Sequence, residues 1–358
     1  MGFITTKQRA RDVLFWPGMN KQIEKMIISV RYCTSTEVQP SRMTDSKNDE
    51  HEKDNRFVVK LKNPHLKTMT EDVLYHFTLS TSTHDLQDMF GDVKFVCCSG
   101  SPKRIAVFAE YIRDELSIKL PVGCTLENIA NKTDRYALYK IGPVLAVSHG
   151  MGMPSVSIML HEILKLVYYA KCKDVTFIRI GTSGGIGLDA GTVVVSDKVV
   201  DGRFRPVFEV PILGKVVARP AILHPQIAND LLHCKKPDDV FKIVVGTTMC
   251  TLDFYEGQAR VDGAFCNYTE QDKKEFLQSA YAQGVRNMEM ESLCFAATLH
   301  HADIKCAVVC VTLLDRMHGD QISMSHDEYE EFQVRPQRVV ARFMRRKLRL
   351  GSQASCDE

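Results

Sequence analysis

A chain of 358 residues, 44% of them hydrophobic, is long enough for one large or two ordinary domains with a sizeable core. Lysine and arginine exceed aspartate and glutamate by only 46 − 44 = 2, which argues against a general nucleic-acid or membrane-surface protein. No run of about 18 apolar residues occurs, so no membrane span is expected, and the start lacks the apolar core of a secretory signal. The 12 cysteines are scattered without a C-x-x-C pair and read as reduced thiols of a cytoplasmic protein rather than a disulfide framework.

Residues 1–56 stand apart from the rest. Thr34 to Asn55 is polar and charged and reads as a disordered linker. Before it, Arg11-Asp-Val-Leu-Phe-Trp-Pro-Gly-Met19 resembles the zinc-binding segment of retrotransposon integrases. That family carries two histidines before the run and a Cys-x-x-Cys after it. Here no histidine precedes it and only Cys33 lies nearby, so a four-ligand zinc site cannot be assembled. We read the segment as transposon-derived, with no metal.

The globular part is expected over residues 57–350, with a disordered tail at 351–358. His76 lies in Glu71-Asp-Val-Leu-Tyr-His-Phe77 as a lone histidine, a residue type more often structural than ligand-binding. A strand from Val93 to Cys97 leads to Gly100-Ser-Pro-Lys-Arg104 and an amphipathic helix to Leu116. Pro102 suits a first helical turn, and a helix N-terminus beside Arg104 attracts anions. Tyr136–Ile141 and Pro143–Ser148 read as a hairpin around Gly142, followed by a helix from Ser155 to Ala170.

The stretch Arg179-Ile-Gly-Thr-Ser-Gly-Gly-Ile-Gly187 follows the apolar run Val175–Ile180. Read as a glycine-rich turn after a buried strand, with Arg179, Thr182 and Ser183 as donors, it makes a phosphate pocket. Gly185, Gly187 and Ala190 match the dinucleotide fingerprint, but the run continues into Thr192-Val-Val-Val195, a strand where the fingerprint needs a helix. No Gly-Lys-Ser/Thr of a P-loop follows either.

Further strands are expected at Thr192–Val200, Val244–Cys250 and Cys306–Leu314, with helices at Ile227–Leu232, Lys273–Gln283 and Ser292–Leu299. Residues 201–243, with four prolines, read as irregular up to Ile227. A C-terminal helix to Leu350 is expected to break at Pro336. The alternation of strand, glycine turn and helix is that of an α/β layered domain. Phe254, Gln258 and Arg260 share one loop and offer an aromatic face, an amide and a cation, which suit a flat heterocycle with imide edges such as uracil. Glu289 and Glu291 sit in apolar company, where a carboxylate needs an arginine or a ligand hydroxyl. Phosphate, base and sugar together spell phosphorolysis of a nucleoside.

Residues from about 60 to 350 resemble the uridine-cleaving, animal-type members of the nucleoside phosphorylase family. The resemblance rests on Gly100-Ser-Pro-Lys-Arg104, Thr133-Asp-Arg-Tyr136, Ser148-His-Gly-Met-Gly152, Ile178 to Gly187, Thr251-Leu-Asp-Phe-Tyr-Glu-Gly-Gln258 and Arg286-Asn-Met-Glu-Met-Glu-Ser292. It implies a three-layer α/β/α sandwich around a central mixed sheet. It implies phosphate held by Gly100, Arg104, Arg179 and Thr182, with Arg135 from the partner subunit. It places Phe254, Gln258 and Arg260 on uracil, and Met290 and Glu291 on ribose. Ser183 and Gly184 line the substrate, and His76 of the partner subunit reaches the 5′-hydroxyl. Arg260, Gln258 and Glu291 become the catalytic set, in a homodimer that needs no cofactor or metal beyond phosphate as co-substrate. Uridine, uracil, phosphate and ribose 1-phosphate are the implied ligands, with no nucleic acid or membrane. Ala259 stands where the family commonly has glycine, a departure that costs about 1 kcal/mol if φ is positive there. Purine phosphorolysis, hydrolysis by a nucleosidase and a non-catalytic binding module remain the alternatives to test.

Overall fold

The computed structural model describes residues 58–120 and 123–348, so the 1–56 segment and the 351–358 tail lie outside the described residues. Two short strands, β1 (Val73–Leu74) and β2 (Leu79–Ser80), and the helix α1 (Leu86–Phe90) lead to β3 (Phe95–Ser99). Then come α2 (Pro102–Glu115), the hairpin β4 (Leu138–Ile141) and β5 (Val144–Ser148), and α3 (Gly152–Tyr169). The middle of the chain supplies β6 (Thr176–Gly185), β7 (Val193–Val200), β8 (Val207–Ile212), β9 (Lys215–Pro220) and α4 (Pro225–Leu232). The last part holds β10 (Ile243–Cys250), α5 (Glu270–Ala282), β11 (Val285–Glu289), α6 (Ser292–His301), β12 (Lys305–Asp315) and α7 (His326–Lys347).

Eight strands form one mixed sheet in the order β11-β10-β7-β12-β6-β3-β5-β4, and β11 also pairs back onto β6. Side chains alternate across it as the pleat dictates. On β3, Val96 and Cys98 join a core with α3 and α6, while Phe95 and Cys97 join one with α2, α4 and α7. This is the expected three-layer arrangement. Central strand β12 is buried on both faces from Cys306 to Leu313, which explains its unbroken apolar run. All ten cysteines among the described residues are free. Among the described residues no helix is long and apolar enough to cross a membrane.

Four local expectations are corrected. The glycine-rich stretch is not a turn: β6 stays extended through Gly185, and its far end pairs antiparallel with β11 through Gly184–Met288 and Gly185–Asn287. The glycines there make room for side chains. A Cβ on Gly181 would fall 2.3 Å from Arg179 Nη1, and one on Gly184 would fall 2.4 Å from Arg316 Nε. Residues 201–243 contain the hairpin β8–β9, whose prolines masked it because they sit on two strands outside the main sheet. Strand β11, short and carrying Arg286 and Glu289, is not among the strands expected from the sequence. Finally, α7 runs unbroken past Pro336, which is buried with Val339, Val340 and Phe343 along the face packed on the sheet. Packing of that face outweighs one lost backbone donor.

Candidate active site

A cavity of about 410 Å³ opens at the carboxyl ends of β3, β6 and β12, where open α/β sheets place their ligands. Its volume is that of a small-molecule site. One wall is the N-terminus of α2. Ser101 caps this helix by accepting from the Arg104 N–H, and Gly100, Ser101 and Arg104 all line the cavity. A Cβ on Gly100 would lie 3.1 Å from Arg104 Nη2 and 3.2 Å from the Gly150 carbonyl, so glycine keeps this corner open. Among the described residues Arg104 forms no ion pair. Burial chiefly, and the nearby Arg179 charge, push it below the ordinary arginine range, while Tyr329 and Glu291 oppose this. An anion in this corner would relieve that penalty.

Arg179 is 2% exposed and is held by two carboxylates, Glu289 at 2.8 Å and Glu291 in a closer contact. Burial opposes its charge, but the two glutamates outweigh burial and hold it firmly cationic. The glutamates have divided roles. Glu289 accepts from the Glu291 and Ser292 backbone N–H groups at 3.1 and 3.0 Å and so satisfies donors at the start of α6. Burial foremost raises the Glu289 carboxyl, which Arg179 only partly counters. Glu291 accepts from the Gly152 N–H at 2.7 Å. Burial acts to raise it too, but Arg179, His149 and that N–H bring it below the ordinary carboxylate range. Glu291 thus stays an acceptor facing the cavity beside Met290. Thr182 reaches the same space from β6. Ser183 and Gly184 line it as well, although the Ser183 hydroxyl already donates to Val311 and accepts from Asn287.

The opposite wall is the loop after β10. Phe254 is 41% exposed, with the Arg260 guanidinium 4.4 Å from its ring centroid. Arg260 Nε donates to Asp262 at 2.7 Å, and this pair holds the arginine's charge. The Gln258 amide is buried and fixed at both ends. Its oxygen accepts from Arg316, and its nitrogen donates to Thr251 Oγ1 at 3.1 Å, which itself donates to the Asp253 carbonyl. Because arginine only donates, this network settles which way the amide faces. Behind it, Arg316 donates to Asp320 at 3.1 Å and Asp320 pairs with buried Lys273 at 2.7 Å. Ala259, between Gln258 and Arg260, has φ 54° and ψ 33°. The departure noted in the sequence therefore does fall on a left-handed position.

Two expected residues lie outside this cavity. His76 pairs with Glu162 at 2.6 Å, and Arg135 is exposed to solvent. They are nevertheless neighbours: Thr133 Oγ1 donates to the His76 carbonyl at 2.9 Å, and the Tyr136 ring lies 5.8 Å from the His76 ring. The lining residues that had no sequence-derived role include His149, Arg316, Asp320 and Ile322. Arg316 directly follows β12, at the strand end where open α/β sheets place their ligands. His149 sits inside Ser148-His-Gly-Met-Gly152, where the glycines carry a local sequence signal and a lone histidine carries none. Among the described residues no group of three or more His, Cys, Asp or Glu is placed to hold a metal ion.

Comparison with known proteins agrees with this geometry. The phosphorylase superfamily model matches residues 94–349. Mouse uridine phosphorylase 1 is 53% identical over 305 residues, covering 85% of this chain and 97% of the relative. Human uridine phosphorylase 2 is 52% identical over 292 residues, covering 82% and 92%. The crystal structure of Schistosoma mansoni uridine phosphorylase in complex with thymidine superimposes with a TM-score of 0.77 at 43% identity, covering 81% of this chain and 98% of that one.

Proposed function

We propose a reaction for a chain that belongs to the phosphorylase superfamily and, within it, to the uridine phosphorylases: it cleaves the glycosidic bond of uridine, and of deoxyuridine, with inorganic phosphate. The products are uracil and the sugar 1-phosphate, a step of pyrimidine nucleoside salvage and catabolism. One observation carries the reading. A single cavity holds Arg104, which forms no ion pair among the described residues, a charged carboxylate beside Met290, and an oriented amide with an arginine next to an open aromatic face.

In this reading Gly100, Arg104, Arg179 and Thr182 take phosphate. Glu291 accepts from a ribose hydroxyl, with Met290 against the sugar. Phe254 faces the uracil ring, and Gln258 and Arg260 meet its polar edge. A phosphate oxygen attacks the anomeric carbon as the bond to the base nitrogen breaks, and the bonding electrons leave with uracil. The charge that develops on the uracil oxygens falls beside the Gln258 amide and the Arg260 guanidinium, which Thr251, Arg316 and Asp262 already hold in place, so stabilisation calls for little reorganisation. Phosphate arrives as an anion, so the attack calls for no strong base and no cofactor. The fixed amide also selects the base. Its oxygen suits the N3–H of uracil and repels the bare N3 of cytosine, and sites built on such pairing reject mismatched partners strongly.

The shared patch of His76 and Arg135 supports a homodimer in which these two residues complete the partner's cavity. Release of base from uridine, deoxyuridine, thymidine, inosine and methylthioadenosine, measured side by side, tests the base assignment. Uridine and deoxyuridine should turn over and the purine nucleosides should not; faster inosine cleavage would overturn it.

A further inference from the structure

The His149 side chain lines the cavity yet is only 1% exposed. Its Nδ1 lies 3.0 Å from the Gly150 carbonyl. A carbonyl only accepts, so Nδ1 carries the proton and Nε2 keeps a bare lone pair. That Nε2 is buried and has no hydrogen-bond partner among the described residues. A buried polar atom left unpaired in a ligand cavity is unfavourable until something donates to it. The empty corner over Gly100 is bounded by Arg104 Nη2, the Gly150 carbonyl and, at 3.8 Å, His149 Cε1. The ring thus borders the corner where Arg104 stands without a counter-ion.

On the phosphorolysis reading above, we propose that His149 Nε2 accepts the hydroxyl proton of bound inorganic phosphate and so makes the site selective for a protonated oxyanion over sulfate. The arginines and the α2 N-terminus attract any tetrahedral dianion. Only one that carries an O–H can also satisfy Nε2. At neutral pH phosphate keeps at least one proton and sulfate keeps none. Sulfate would set an oxygen lone pair against the nitrogen lone pair and leave the buried acceptor unpaired. The neighbouring charges keep the ring in this state: burial first, then Arg179 and Arg104, disfavour the imidazolium, and Glu291 only partly opposes them. The bond to the phosphate hydroxyl leaves that oxygen protonated and the other oxygens free to attack.

The test uses the full-length protein in uridine phosphorolysis, with sulfate as competitor against phosphate. Sulfate should compete at least about tenfold more weakly than phosphate binds, as one lost hydrogen bond to a charged ligand implies. Sulfate competing on equal terms overturns the proposal without any variant. His149→Phe keeps a ring but removes the acceptor. It should raise the phosphate KM about tenfold, leave the sulfate inhibition constant within about twofold and leave the uridine KM unchanged. His149→Gln, which restores an acceptor oxygen, should recover part of the selectivity. An unchanged phosphate-to-sulfate ratio in folded variants, or a rise confined to the uridine KM, would assign His149 to structure or to ribose. Wild-type protein that releases no uracil refutes the phosphorolysis reading itself; an active wild type with insensitive variants refutes only the role of His149.

Discussion

The side-chain oxygen of Gln258 accepts from the Arg316 guanidinium, and with the amide nitrogen's bond to Thr251 this fixes the orientation of the amide across the cavity from Arg104. Arg316 is in turn anchored by Asp320 and, through it, by Lys273. Arg316→Met frees the amide to turn over. Uridine kcat/KM should fall about tenfold to a hundredfold, with the phosphate KM within about twofold. Steady-state kinetics in both substrates would expose the error, since an unchanged uridine KM leaves Arg316 no part in orienting Gln258.

Arg260 carries the charge closest to the Phe254 face. Arg260→Ala should lower kcat on the order of 10²–10³, the usual cost of removing one preorganised donor. The Asp262 left behind is partly solvated, its side chain 24% exposed, so the fold should survive. Near-normal turnover would remove Arg260 from the mechanism.

Ala259 adopts φ 54°, a conformation that strains any residue with a Cβ. Ala259→Gly relieves the strain and loses some of the benefit to the entropy of the unfolded chain. A net gain of about 0.5–1 kcal/mol is expected from urea unfolding, with turnover unimpaired. A less stable glycine variant would show that this backbone geometry is tolerated without cost.

Burial foremost, and then Arg179, push the His149 imidazole down to about 3 from an ordinary 6.5. The folded protein keeps the ring neutral where the unfolded chain protonates it. Below pH about 6.5 the unfolded state therefore binds more protons, and stability falls as pH falls, down to about 3. Urea unfolding at pH 7 and pH 5 should show wild type losing about 2 kcal/mol more than His149→Phe. Equal losses would contradict a buried neutral ring.

The layered fold was legible because the buried strands keep long apolar runs and the helices keep their period, as in β12 and α3. Glycine was the misleading signal. In Ile180-Gly-Thr-Ser-Gly-Gly185 it marks no turn but space for Arg179 and Arg316 beside an extended strand. A side chain's need for room is a tertiary fact that local sequence does not carry. The hairpin β8–β9 was hidden by prolines that two strands outside the main sheet tolerate. At the site, Phe254, Gln258 and Arg260 were readable because one loop holds all three. Arg316 and Asp320 were not, because Arg316 meets Gln258 at a sequence separation of 58 and Asp320 reaches it only through Arg316. His149 was hidden by its type, since only burial and the unpaired Nε2 set it apart from a structural histidine.

Uracil release from uridine by the purified protein, with and without inorganic phosphate, tests the central claim most directly. Release that requires phosphate and yields ribose 1-phosphate one for one with uracil is the predicted result. Equal release without phosphate would make the protein a hydrolase and leave the corner at Arg104, Gly100 and Thr182 to some other anion; no release under either condition would contradict the proposed chemistry altogether.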